Sequence, residues 1–465
     1  MALAVLLVES AVFFAAFFVL LHSADASVSV SGVFGPRNEP AAAMLLAGCC
    51  IGSLYYSELY DLNKVGSFRT CLGRVSRACA VAALPIAALL YAVLPSGTSW
   101  MAVLAASGVA VTTVLLCRRV WLHMLHSRPF TEQVVVLGKT PLARAVIAEL
   151  QTRPNFRVLE TLPSRFSRAV KDVEPALTGF GRRPAAETRL TRIIVALSER
   201  RGRLPVDLLL DAKRQGIIVE DGVQLYERLT GKLAIETLQP SHLIFAPEFG
   251  TLTAHTIAAR ILSVVFAAIG IVICAPLLGL IAVMVKLDSR GPILFVQDRI
   301  GKDGRTFRLM KFRTMFPLEG RRSEWVKDNG DRITRVGRWL RKFRFDELPQ
   351  LFNILCGHMN LVGPRPHPAS NYALFMESIP FYGFRSLVRP GITGWAQVRY
   401  GYANNLEEET EKMRYDLYYI KHRSLRMDME ILLQTAKVVV LGHECQIGTV
   451  LPAPQPRLDE RTDAA

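Results

Sequence analysis

The sequence predicts a membrane protein in three folded parts: an α-helical bundle of four spans, a Rossmann-like α/β domain, and an α/β domain with a re-entrant membrane helix. Three observations lead there. Four apolar runs of about bilayer length open the chain, strand and helix patterns then alternate, and a fifth apolar run precedes a basic, motif-rich segment. The chain has 465 residues, 51% hydrophobic, and a formal charge of +16. Residues 1–117 balance five basic groups (Arg37, Lys64, Arg69, Arg74, Arg77) against five acidic ones (Glu9, Asp25, Glu39, Glu58, Asp61), so all the excess lies behind them. An apolar front and a basic body point to a membrane protein with a positive cytoplasmic face. They argue against a disordered chain, a small disulfide scaffold and a freely soluble enzyme. The eight cysteines show neither CxxC nor paired-His spacing, which fits reduced thiols rather than structural zinc.

The first four apolar runs cover about 2–22, 41–60, 78–94 and 99–117. The first lacks a basic leader and carries Glu9, so it reads as a retained span rather than a signal peptide. Residues 61–77 hold four basic groups and 23–40 only one, which places both ends of this 1–120 unit in the cytoplasm. Glu9, inside the first span, calls for a partner or a water contact, with a proton path as the alternative.

Residues 130–250 change character. Strand patterns at 133–138, 192–197 and 217–221 alternate with helical ones at 141–150 and 205–216, the signature of a parallel Rossmann-like sheet. Its first turn, "GKTPLA", has one glycine where a dinucleotide fingerprint has three. A structural or regulatory domain fits better than an NAD site. Residues 162–191 read as a basic loop and helix.

The fifth run, about 261–285, is flanked by Arg260 and Lys286 and contains Pro276. Basic groups at both ends give no orienting asymmetry, and a proline kinks a helix, so a hairpin over 260–286 and a kinked span are the two readings. Residues 255–445 then form the chemistry-bearing domain, with 446–465 a disordered tail. Two strands joined at "GKDG" deliver Arg299, Lys302, Lys311 and Arg313 near the membrane exit. Residues 331–355 read as one basic amphipathic stretch, with Ile333, Val336, Trp339, Leu340 and Phe343 on one face. Asp346 and Glu347 stand among Arg341, Arg344 and Arg365. Successive helical positions diverge, so they suit separate roles: a nucleophile and a Mg²⁺ ligand. An N-cap at "DELP" is the bland alternative. Two rigid Gly/Pro loops, 361–368 and 388–398, each present an arginine, Arg365 and Arg389, suited to phosphate. His358 and His367 are further site candidates, and 415–440 reads as a strand-or-helix boundary followed by an amphipathic helix docking on the membrane surface.

Five ordered motifs, KFRTM (311–315), DELPQL (346–351), LVGPRP (361–366), RPGITGWAQV (389–398) and YDLYYIK (415–421), resemble the bacterial sugar transferases. These are monotopic polyprenyl-phosphate sugar-1-phosphate transferases, and residues 199–245 are similar to their exosortase-associated exopolysaccharide subgroup. The resemblance implies an α/β monotopic catalytic domain in the bacterial inner membrane, facing the cytoplasm, with a UDP-sugar donor and an undecaprenyl phosphate acceptor. It implies Asp346 as nucleophile and Glu347 as Mg²⁺ ligand. Lys311, Arg341 and Arg365 fall on phosphate-binding or scaffolding positions, with Arg313, Arg389 and Arg299 as further phosphate candidates. Pro276 matches the helix-breaking proline of the family's hairpin. Ala275 and Ser263 depart from its usual Ser and Asp. Membrane lipids are expected partners, nucleic acid is not, and a homo-oligomer stays open. Two competing readings are a membrane-anchored NAD-dependent sugar epimerase or dehydratase and a non-enzymatic polysaccharide-assembly scaffold.

Overall fold

The computed structural model describes residues 2–25, 39–57, 59–60, 68–93, 100–125, 132–153, 155–162, 191–197, 204–235, 253–316, 332–401, 403 and 405–441. It is mostly helical with some parallel sheet and divides into two units, Met1–Glu220 and Asp221–Ala465. Residues 163–190 and the predicted 446–465 tail lie outside the described residues.

In the first unit the apolar runs fold as α1 (Ala2–Asp25), α2 (Glu39–Tyr56), α3 (Phe68–Val93) and α4 (Trp100–Leu125). Phe13, Phe17, Leu46, Leu54, Val75 and Val114 share one core. α3 starts ahead of its apolar run, so Arg69, Arg74 and Arg77, expected in a loop, lie on its first turns. Helical hydrogen bonding continues past the point where hydrophobicity ends, because arginine is itself a good helix former. Glu9 has the partner its burial requires: Arg118 Nε lies 2.6 Å away, and Tyr60 donates a 2.7 Å hydrogen bond.

β1 (Glu132–Leu137), β2 (Phe156–Leu162), β3 (Arg192–Val195) and β4 (Ile218–Asp221) form a sheet ordered β2-β1-β3-β4, with β1 parallel to both neighbours. β2 is a strand that periodicity did not announce, because Arg157 and Glu160 interrupt its apolar pattern. The helix predicted at 141–150 forms as α5 (Pro141–Gln151), capped by Thr140 and with proline in its first turn. α6 (Val206–Arg214) covers the sheet through Leu209 and Ala212. Gly138 has φ +122°, and a Cβ there would sit 2.4 Å from the Ala196 carbonyl oxygen. The lone glycine of "GKTPLA" is therefore required by the sheet's own packing.

The second unit begins earlier than composition indicates. α7 (Gly222–Thr230) and the following Leu233 and Ile235, assigned by sequence to the 130–250 domain, belong to it. Leu233 and Ile235 join a core with Trp395, Tyr400, Met413 and Leu417. Trp395 donates to the Gly231 carbonyl at 2.9 Å, and Lys232 pairs with buried Glu411. Local composition cannot reveal which core a short segment joins.

α8 (Thr253–Asp288) is a single helix of 36 residues with Pro276 inside it. The break predicted within 260–286 does not divide the element: proline costs one backbone hydrogen bond, and the flanking turns maintain the helix. Among the described residues, two helices are long and apolar enough to cross a membrane, Val5–His22 and Ala254–Asp288. β5 (Leu294–Ile300) and β6 (Thr306–Phe312) form the predicted antiparallel hairpin around the "GKDG" turn. The expected 331–355 amphipathic stretch is broken into α9 (Arg335–Lys342), a 3₁₀ turn (Phe345–Glu347) and α10 (Gln350–Leu355), because Arg344 turns left-handed at φ 56°. Leu340 faces inward and Trp339 outward, so the predicted shared face is split. β7 (Asn360–Val362) and β8 (Gly391–Thr393) pair in parallel, followed by α12 (Trp395–Arg399) after the intervening α11 (Ala369–Ser378). α13 (Leu406–His422) and α14 (Leu425–Leu441) complete the unit. The strand-or-helix boundary expected at the start of 415–440 lies inside helix α13, where Tyr415, Leu417, Tyr419 and Ile420 are buried in the core. Their aromatic and aliphatic area is worth more packed inside than at an interface.

Candidate functional site

The left-handed Arg344 directs the chain into the 3₁₀ turn that carries Asp346 and Glu347. At three residues per turn their side chains diverge. Glu347 is buried, and its Oε1 meets Arg365 at 2.8 Å and Lys311 Nζ at 3.4 Å. Asp346 is half-buried beside it. The N-cap alternative for "DELP" does not hold, since Pro349 occupies the cap of α10 without a side-chain bond.

These contacts divide the two carboxylates electrostatically. Burial alone would raise Glu347, but Arg365 and Lys311 outweigh it and hold its carboxyl below the usual range. Burial, then the adjacent Glu347 charge, pushes Asp346 up, opposed by Lys311, Arg365 and Arg341. Burial also lowers Lys311 to about 8, with Glu347 pulling the other way.

Arg365 sits in the "GPRP" loop after β7, whose position depends on two backbones in close contact. A Cβ on Gly391 would lie 2.1 Å from the Gly363 nitrogen, and one on Gly363 2.5 Å from the Arg389 carbonyl oxygen. Arg385, which the sequence reading missed, donates to the Arg365 carbonyl at 3.1 Å. Asp416, within the YDLYYIK motif, pairs with Arg385 at 2.6 Å. Nothing local in "FYGFRSL" marks Arg385; its only signal is an arginine in an otherwise apolar, aromatic turn.

The other predicted residues separate into two groups. Arg341 bears electrostatically on Asp346 and donates to Thr314 at 3.0 Å, and Arg299 bears on Lys311 while donating to the Pro366 carbonyl at 2.9 Å. Both belong to the cluster. Arg313 does not: it is buried and donates to the Ser289 and Val285 carbonyls, fastening β6 to the end of α8. Arg389 donates to the Gly357 carbonyl at 3.1 Å, with Arg260 as its electrostatic neighbour. In both cases a guanidinium that the sequence assigns to phosphate bonds backbone carbonyls instead. Pro276 lies on α8, where Leu277 and Leu278 pack towards Phe345 and Leu348. His358 stacks on Phe307. His367 is half-buried against Glu409, and loss of solvent around the ring lowers it to about 3, so it meets Glu409 as a neutral ring.

Two residues near the start of α8 also serve the loops. Arg260 donates to the Ile354 and Met359 carbonyls at 2.7 and 2.9 Å. Ser263 accepts from the Leu361 N–H at 3.0 Å, so the Asp-to-Ser departure leaves a hydrogen bond in place.

Mg²⁺ favours one or two carboxylates completed by water and substrate oxygens. Glu347 supplies one such carboxylate, and both of its cation contacts converge on one oxygen. Among the described residues no group of three His, Cys, Asp or Glu side chains forms a fuller metal site. Lys311, Arg341, Arg365 and Arg299 can hold a phosphate, and an ionised carboxylate among them can attack its phosphorus.

Comparison with known proteins assigns the same segment to a family. Residues 254–442 match the family described as bacterial sugar transferase. The chain is 42% identical over 223 residues to the UDP-N-acetylgalactosamine-undecaprenyl-phosphate N-acetylgalactosaminephosphotransferase of Aeromonas hydrophila, covering 47% of this chain and 51% of the relative. It is 45% identical to the UDP-glucose:undecaprenyl-phosphate glucose-1-phosphate transferase of Caulobacter vibrioides, over 38% of this chain and 67% of the relative. It is 41% identical to the exopolysaccharide production protein PSS of Rhizobium leguminosarum bv. phaseoli, over 36% of this chain and 86% of the relative. The chain thus spans about half the length of the Aeromonas relative.

Proposed function

The chain belongs to the bacterial sugar transferases, and on that premise we propose that it transfers a sugar-1-phosphate from a UDP-sugar to undecaprenyl phosphate, as the first membrane step of exopolysaccharide synthesis. The observation that carries this reading is the unequal carboxylate pair: Glu347 is locked between Lys311 and Arg365, while Asp346 beside it keeps some exposure.

In the proposed reaction an Asp346 oxygen attacks the sugar-linked phosphorus of the donor. The P–O bond to the nucleotide breaks, UMP leaves with that electron pair, and a phosphosugar remains on the carboxylate. A phosphate oxygen of undecaprenyl phosphate then attacks the same phosphorus, displacing the Asp346 carboxylate and forming undecaprenyl-diphospho-sugar. Lys311, Arg365 and Arg341 stabilise charge on the transferring phosphoryl oxygens. Glu347 would hold Mg²⁺, which supplies charge neutralisation on the diphosphate when bound. Names of the relatives include N-acetylgalactosamine and glucose donors; glucose and galactose are the leading candidates proposed for this chain, with N-acetylated and deoxy-amino sugars as alternatives.

We further propose that α1–α4 are four spans, that residues 132–221 are a degenerate Rossmann-like domain, and that the protein is a multi-pass protein of the bacterial inner membrane with its catalytic unit on the cytoplasmic face. That α8 stays with the catalytic unit on one side of the membrane is supported by its two ends. Arg260, near its start, and the Val285 carbonyl, near its end, bond the same folded unit.

A UMP-release assay over a panel of UDP-sugars, with undecaprenyl phosphate and Mg²⁺, tests the activity. Asp346→Asn should abolish both UMP release and any trapped phosphosugar adduct. Turnover persisting in that variant would remove Asp346 as nucleophile.

A further inference from the structure

An aromatic ridge leads away from the turn that carries Asp346. Trp339 on α9, Phe343 at its end and Phe345 in the 3₁₀ turn form a triangle, with ring centroids 5.5, 5.4 and 5.9 Å apart. Trp339 is 42% exposed, an expensive position in water for a side chain of its apolar area. Phe345 extends the ridge into a cluster with Leu277, Leu278 and Ile281 of α8. Beyond that cluster the outer face of α8 is bare and apolar, with Val272, Ile273, Leu280 and Val283 exposed. Lys342 Nζ lies 5.5 Å from the Phe343 ring centroid, bringing a cation to the polar edge of the ridge.

An apolar surface therefore runs from the outer face of α8, over Leu277 and Phe345, to the chain neighbour of Asp346. We infer that Trp339, Phe343 and Phe345 bind the first isoprene units of the polyprenyl acceptor. This rests on the proposed function, under which the acceptor's phosphate must reach phosphorus carried on Asp346. Its hydrocarbon chain starts one bond beyond that phosphate, so the apolar surface nearest Asp346 is where the chain must lie. Flat aromatic rings match the planar alkenes of an isoprenoid, and rigid side chains lose little entropy on binding. Bulk lipid satisfies the rest of the α8 face, which is remote in sequence from the catalytic turn, whereas Phe345 adjoins Asp346 directly.

Full-length protein in detergent micelles provides the test, using a C15 prenyl phosphate and a saturated alkyl phosphate of equal carbon number. The first half-reaction, a burst of UMP from donor alone, reports folding and donor chemistry separately. In Trp339→Ala the burst should persist while the prenyl-over-alkyl ratio of kcat/KM falls about tenfold, the equivalent of ~1.4 kcal/mol of lost contact. Trp339→Phe should restore most of the ratio. Phe343→Leu, which keeps apolar volume, is the second variant if Trp339→Ala loses the burst. An unchanged ratio overturns the inference. So does an equal loss for both acceptors accompanied by loss of flotation with phosphatidylglycerol vesicles, which makes the ridge a general membrane anchor. A wild-type protein that releases no UMP from any UDP-sugar defeats the proposed function instead.

Discussion

Arg385 holds Arg365 through the backbone: its guanidinium donates to the Arg365 carbonyl at 3.1 Å, while the Arg365 guanidinium meets Glu347 at 2.8 Å. Asp416 anchors Arg385 from α13, at 2.6 Å. A residue outside the phosphate cluster thus orients one inside it. The consequence is kinetic. Asp416→Asn keeps the shape but weakens the charge-assisted pair, so kcat should fall about tenfold with KM for the donor changed less. Equal changes in kcat and KM, or none, in steady-state kinetics would contradict the orienting role. Arg385→Ala should unfold the unit readily, because it leaves the Asp416 carboxylate buried without its pair, at ~3–5 kcal/mol.

The two ionisations set a bell-shaped pH profile. Asp346 must be deprotonated to attack, and its carboxyl is pushed above the usual range by burial and then by Glu347, so activity rises with pH through that raised value. Lys311 must be protonated to hold phosphate, and it loses its proton near pH 8, so kcat/KM falls again as pH rises through that value. Lys311→Arg should move the alkaline limb upward by more than a pH unit, because arginine does not titrate there. An alkaline limb that stays near pH 8 in this variant assigns the ionisation to another group.

Gly391 admits no side chain, since a Cβ would sit 2.1 Å from the Gly363 nitrogen. Gly391→Ala should cost about 1–3 kcal/mol and loosen the "GPRP" loop. A lower melting temperature together with a raised KM for the UDP-sugar checks this, and a variant with wild-type melting and kinetics would refute the close packing.

Within the helical bundle, Arg118 and Glu9 satisfy each other, 4% and 1% exposed. Removing one partner strands the other charge, so Glu9→Ala or Arg118→Ala should each destabilise the bundle by ~3–5 kcal/mol. The Glu9→Leu/Arg118→Met double variant should lose less than either. Thermal melts in detergent measure the difference, and additive losses would show that the pair is not coupled.

Much of the candidate site was readable from residues alone. Asp346, Glu347, Lys311 and Arg365 stand in short motifs whose residue types already indicate phosphate chemistry, and they converge as that pattern implies. Arg313 and Arg389 looked equally suitable, yet backbone carbonyls engage both. An arginine's charge is visible in a sequence, but the acceptor it meets is not. The same limit hid Arg385, whose partners come from α13 and from the "GPRP" loop, and it hid the attachment of residues 222–235 to the second unit.

By itself the sequence determined the apolar helices, the parallel alternation, the β5–β6 hairpin and the carboxylate pair, because each depends on local periodicity, turn chemistry or adjacent residues. Only the tertiary structure decided that Glu347 is the locked carboxylate and Asp346 the more accessible one, and that α8 continues through Pro276. Those outcomes depend on which distant groups fill the remaining coordination around a charge or a carbonyl. That is settled by packing across the whole unit and not by neighbours along the chain.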